Sequence, residues 1–155
     1  DFYFYDGLAD FMANYDFTEI EPFTLLIVNS NGTVKLDELR WDGAVLHHTP
    51  KDINRSHIWS SVTLYDDSVV KERQKWFAEW LNKYPDFTQD DILHFHEFGG
   101  DDDHQNDLVM NREDKVMTLS ITSILKDTTN YKMSYRDLQK GHTYAYRILQ
   151  SMKAC

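Results

Sequence analysis

The chain has a single cysteine, Cys155, the last of its 155 residues. One terminal thiol excludes an internal disulfide framework and a cysteine-rich zinc site, and with no flanking structure to lower its pKa it is a poor nucleophile. Glycine is scarce. Only Gly99 and Gly100 are adjacent among the six, so there is no glycine-rich loop to cradle a phosphate. Basic charge is also short: 16 Lys and Arg stand against 26 Asp and Glu, a formal net charge of -10. That balance argues against nucleic acid or an anionic membrane as partner, because their phosphates call for a basic patch. No apolar run approaches the ~20 residues needed to cross a bilayer, so no membrane span is expected. With no repeat, low-complexity segment or long linker, residues 1–155 read as a single soluble domain. The cytoplasm is the expected compartment, although a disulfide-free chain is also compatible with export. The opening residues DFYFYDGLADFM resemble the middle of a structured element, which points to a piece of a longer protein.

What is present is periodicity of two kinds. Leu8, Phe11, Met12 and Tyr15 recur at helical spacing, so a short helix is expected over 6–15. Three strands of a meander follow at 22–29, 33–41 and 44–48, turned at Asn31-Gly32 and Asp42-Gly43. The β-rich run 57–64 reads as a further strand. Residues 66–84 form the clearest helix, with Val69, Arg73, Trp76, Phe77, Trp80 and Leu81 on one side. Thr88 with Asp91 three residues on resembles a capping arrangement for a second helix over 89–98. Strands are expected at 107–110, 116–125, 131–138 and 142–149. Antiparallel runs with helices between them imply an α+β fold of antiparallel sheets with flanking helices.

The chemistry concentrates in 91–122, DILHFHEFGGDDDHQNDLVMNREDKVMTLSIT. His94, His96, Asp101, Asp102, Asp103, His104 and Asp107 invite a metal, but their spacing is unsuited to the common sites. In a helix His94 and His96 lie about 200° apart. A calcium loop counted from Asp101 would need Gly and Glu where Asn106 and Arg112 stand. A solvated acidic loop is the stronger reading, and no metal or cofactor is implied. Ser60 and Ser61 coexist with seven histidines and many aspartates, but no G-x-S-x-G elbow occurs. Two readings stay open for the remaining candidates. Ser60 and Ser61 could donate to an oxyanion, or be satisfied by backbone in a strand. Arg112 could hold a carboxylate, or pair with Glu113 or Asp114 at the surface.

Several phrases occur together: IEPFTLLIV (20–28), LRWDG (39–43), HIWSSVTLYD (57–66), KERQKWFAEWL (71–81) and ILHFHEFGGDDD followed by NDLVMNREDKVMTLSIT. In order and spacing they resemble bacterial members of the NRDE family, the group that includes transport and Golgi organisation protein 2. The resemblance covers about residues 20–123. That family is similar to N-terminal-nucleophile hydrolases such as penicillin V acylase and bile salt hydrolase, which implies a four-layer αββα sandwich, here only in part. It also implies a cysteine nucleophile at a mature N-terminus, with its own α-amino group as base. On this resemblance the chain is the C-terminal portion of a family member, and its partners are the missing N-terminal segment and a small amide substrate, with self-pairing of exposed sheet edges as a route to a homo-oligomer. Asn111-Arg112-Glu113-Asp114 is not the family's naming motif, which lies early in its chains and has another order. The resemblance assigns Arg112, just before the Thr-x-Ser strand at 118–120, to a place near the nucleophile, and Ser60 or Ser61 to the oxyanion. The asparagine that related acylases use there is absent. The implied activity is cysteine-dependent amide hydrolysis by the full-length protein, and the alternative is a non-catalytic binding or trafficking module that retains the fold.

Overall fold

The computed structural model describes residues 2–30, 32–61, 63–127 and 131–148. Asn31, Val62, Leu149 and Cys155, each part of an expectation above, lie outside the described residues. The chain divides into two compact units, Asp1–Val70 and Lys71–Cys155.

In the first unit a 3-10 turn at Phe2–Phe4 precedes helix α1 (Leu8–Asn14). Strands β1 (Phe23–Asn29), β2 (Lys35–Trp41) and β3 (Leu46–Lys51) then form an antiparallel sheet in that order. Phe23 pairs with Trp41 and Leu25 with Leu39 across β1 and β2, so Phe23, Leu25, Ile27, Leu39 and Trp41 share one face. That alternation is what the sequence displays. Leu39 is completely buried. The remaining burial comes from rings. Phe11 lies 5.3 Å from Phe2 and from Tyr5, and 4.7 Å from Tyr15. Phe17 continues the cluster, at 6.2 Å from Phe23 and 5.1 Å from Trp41. The Trp41 indole N–H donates to the Ile20 carbonyl at 2.9 Å, so the largest ring is also satisfied as a donor.

Helix α2 (Asp67–Lys83) begins in the first unit and continues in the second. Helix α3 (Gln89–Phe98) carries the expected capping box: Thr88 accepts from the Asp91 N–H, and the Asp91 carboxylate accepts from the Thr88 N–H. Aromatic side chains fill the space between the helices. Phe95, which is buried, lies 5.6 Å from Phe77 and 5.1 Å from Trp80. A two-stranded ribbon, β4 (Asn111–Arg112) with β5 (Val116–Met117), leads into the second three-stranded sheet. That sheet is β6 (Ser120–Lys126), β7 (Tyr131–Asp137) and β8 (His142–Ile148), antiparallel and in sequence order.

The register of this sheet sorts its residues into two unlike faces. Ile121, Ser123 and Arg136 point to one side, where α3 lies: Gln89 donates to the Ser123 hydroxyl at 2.7 Å and Arg136 pairs with Glu97. On the other side Thr122, Tyr135 and Tyr144 form one row and Ile124, Met133 and Tyr146 the next. This second face is open, with Ile124 63% and Tyr146 54% exposed. The α+β class with antiparallel sheets is therefore what the chain adopts. Among the described residues no helix is long and apolar enough to cross a membrane.

Among the described residues two expected strands are absent. The segment 56–61 is irregular, and its Trp59 is tied by side chain, not by a strand ladder, to Glu38 on β2. The segment 107–110 has its backbone groups engaged outside any ladder. The Asp107 carbonyl accepts from Arg73, the Leu108 N–H donates to Gly99, and the Met110 N–H donates to the Thr118 hydroxyl.

Candidate functional site

Arg112 sits at the base of the β4–β5 ribbon. The tight turn above it places Glu113 and Asp114 at φ 53° and 57°, and the Lys115 N–H closes it on the Arg112 carbonyl at 3.0 Å. Two successive residues with positive φ, followed by Lys115, make the three-residue connection of the ribbon, here built without glycine. Asn111 stabilises it from below: its amide donates to the Asp114 carboxylate at 2.7 Å and its oxygen accepts from the Asp114 N–H at 2.8 Å. Lys115 pairs with Glu113 at 2.9 Å. Both carboxylates offered by sequence as surface partners of Arg112 thus have other partners. The Arg112 guanidinium instead reaches back into the preceding loop, donating from Nε to the Gln105 carbonyl at 3.0 Å and from Nη2 to Asn106 Oδ1 at 3.3 Å.

A second arginine holds the same loop. Arg73 is the buried residue of α2, donating to the Asn106 carbonyl at 3.1 Å and the Asp107 carbonyl at 2.6 Å. Its position on the otherwise apolar side of α2 was the signal available in the sequence. A guanidinium there had to find acceptors, and the backbone of the acidic loop supplies them. The acidic residues satisfy the loop's own amides. Asp107 accepts from the Asp101 N–H at 3.0 Å, and Asp103 accepts from the Gln105 N–H at 3.1 Å and the Asn106 side chain at 2.7 Å. Glycine is required at the loop's entry. At Gly100, φ is 153° and an added Cβ would fall 1.9 Å from Asp107 Oδ1. Among the described residues no three His, Cys, Asp or Glu side chains converge as metal ligands.

His96 lies over a groove between α3 and β6, lined also by Ile92, Ile121 and Leu125. Burial of its imidazole there pushes its pKa below the ordinary histidine range.

Ser60 and Ser61 belong to the first unit and Arg112 to the second. Ser60 is half-buried and Ser61 exposed, and among the described residues neither hydroxyl has a hydrogen-bond partner. Trp59 moors the segment by donating to Glu38, which also pairs with Lys51 at 2.9 Å. Burial alone would raise the Glu38 pKa. The bonds from Lys51 and Trp59 outweigh it and hold the carboxyl below its usual range. Two histidine–aspartate pairs also lie on this sheet, His48 with Asp37 and His47 with Asp42, each at 2.7 Å. The bond from His47, followed by those from the Val45 and Ala44 N–H groups, holds the exposed Asp42 well below the carboxylate range. Among the described residues no serine hydroxyl bonds either histidine, so neither pair is extended into a triad.

Scanning protein-family models finds no match to this chain, and comparison with curated proteins and with solved structures likewise finds none.

Proposed function

We propose that this chain is the C-terminal part of an NRDE-family protein of the N-terminal-nucleophile type, forming part of a four-layer αββα sandwich and one wall of an amide-hydrolase pocket. The observation that carries this reading is the two-faced sheet β6–β8. Helix α3 packs against β6 on one side, where Gln89 donates to Ser123, while Ile124, Tyr144 and Tyr146 stand open on the other. A sheet with a helix behind it and an apolar, tyrosine-rich front has the composition of half a sandwich, because such a front is stabilised by burial against another layer. The sequence phrases quoted above are the second support.

On this reading a cysteine thiol, contributed by a segment outside these residues, gives its proton to its own α-amino group as the sulfur attacks an amide carbonyl, and that ammonium then hands the proton to the leaving amine. The C–N bond breaks, the amine leaves protonated, and water releases the acid from the thioester. Arg112 orients the site, its own direction set by the Gln105 carbonyl and Asn106.

The test uses the protein expressed from its complete gene with its natural N-terminus, assayed against a panel of N-acyl amides. Hydrolysis that is lost on replacing an N-terminal cysteine by serine, and lowered about 10²-fold by Arg112→Lys, is the expected result. A folded protein without an N-terminal cysteine and without amide hydrolysis would sink the proposal in favour of a binding or trafficking module.

A further inference from the structure

A second feature of the Lys71–Cys155 unit is independent of that reading. Trp76, Trp80, Lys83 and Tyr84 fall at i, i+4, i+7 and i+8 along and just beyond α2, on one stripe. Asp91, His94, Phe95 and Phe98 fall at i, i+3, i+4 and i+7 on α3. The two stripes line a cleft of about 490 Å³ that also contains Glu79 and ends at Gly99 and Gly100. Its volume falls in the range of small-molecule sites.

The rings in it are not all used by the fold. Trp80 and Phe95 are, through each other and through Phe77. Trp76 is not. The chain's other tryptophans each have a ring contact or an indole hydrogen bond, whereas Trp76 has neither among the described residues. Phe98 is 66% exposed and touches His94 at 4.7 Å, and Tyr84 is 41% exposed. The cleft therefore offers aromatic faces to solvent beside two carboxylates. Asp91 is held below the usual carboxylate range by its bonds with Thr88, so it is charged at neutral pH. Against Glu79 and Asp91 stands one cation, Lys83, and its ammonium already lies 5.4 Å from the centre of the Tyr84 ring. One aromatic face here thus accepts a positive charge in the native structure.

We propose that the cleft between α2 and α3 binds a small organic cation, with a quaternary ammonium or guanidinium head group set against Trp76, Tyr84 and Phe98 and balanced by Glu79 and Asp91. Aromatic faces attract cations through the ring quadrupole, and weakly hydrated head groups lose least on leaving water. Lys83 competes for the same faces, so its removal strengthens binding.

The experiment titrates the whole 155-residue chain with choline and with methylguanidine, following the four tryptophan indole N–H signals by NMR. The control is 3,3-dimethylbutan-1-ol, the neutral isostere of choline. Saturable shifts are expected at Trp76 and Trp80 with Trp41 and Trp59 unmoved, and binding of the isostere about five- to tenfold weaker than that of choline. Glu79→Gln and Trp76→Leu weaken binding by a similar factor, and Lys83→Met tightens it. The dispersed amide signals of β6–β8, in the same unit as the cleft, report whether each variant is folded, and Phe98→Ala replaces Trp76→Leu if that variant is not. Equal binding of the neutral isostere, shifts confined to Trp41 and Trp59, or no saturable shift with either cation would overturn the proposal.

Discussion

The two three-stranded sheets are alike in size and in antiparallel order, yet they are supported differently. The sheet β1–β3 is backed by rings: Phe17 stacks on Phe23 and Trp41, and Leu39 beneath them is wholly buried. The sheet β6–β8 is supported by polar ties, Gln89 to Ser123 and Arg136 to Glu97, and in the same unit Arg73 of α2 is buried. Where apolar side chains meet, order follows from excluded water and tolerates small shifts. Where arginines meet carbonyls, order follows from directed bonds whose loss leaves acceptors unpaired.

Substitutions can break that contrast. Leu39→Ala should cost the most, about 3 kcal/mol in urea unfolding, because the side chain is completely enclosed and its removal leaves a cavity. A cost below 1 kcal/mol would mean that the first sheet is not organised around this residue. Arg73→Met should cost about 2 kcal/mol, the value of charge-assisted bonds to two carbonyls that would then lack partners. If Arg73→Met were neutral, the polar-tie account of the second unit would be wrong.

The third prediction concerns pH. The His96 pKa is lowered on folding by burial, so around the ordinary histidine pKa the unfolded chain binds more protons than the native one. Stability should therefore fall as pH drops through that pKa and level off below the folded value. Melting temperatures at pH 7.5 and 5.5 should differ less in His96→Asn than in the parent. An unchanged slope would remove His96 from the account. The smallest effect is expected for Ile124→Ser on the open face of β6, within about 0.5 kcal/mol, since the side chain is 63% exposed. A loss near that of Leu39→Ala would show that this face is covered in solution.

Local signals carried much of the fold. The β1–β2 hairpin, the capped start of α3 at Thr88 and the strands β7 and β8 follow from alternation, turn residues and a side-chain cap, all of which act over a few residues, whereas the single strand expected at 116–125 is broken at 118–119 into β5 and β6, which pair with different partners. The described residues 57–61 and 107–110 are β-rich in sequence and yet form no strand, for the opposite reason. Their β-rich composition says nothing about whether a partner is at hand, and the bonds of 107–110 go to Arg73, Gly99 and Thr118 instead. Arg112 was visible as a candidate, but not its anchorage to Gln105 and Asn106, because a long side chain can reach back as easily as forward. The aromatic stripe of α2 was legible as a stripe. That Trp80 would stack on Phe95 while Trp76 met no other ring depended on where α3 lies, which no periodicity encodes.

The order β6-β7-β8 has a further consequence for amide hydrogen exchange. Strand β7 is bonded on both sides, so its amides should exchange uniformly slowly, whereas in β8 every second amide points away from the ladder. A two-residue alternation of fast and slow exchange along His142–Ile148, against a flat profile in Tyr131–Asp137, would be the imprint of a sheet that ends at β8. Any chain, its own copy or another, that adds a strand there would be recorded as the disappearance of that alternation.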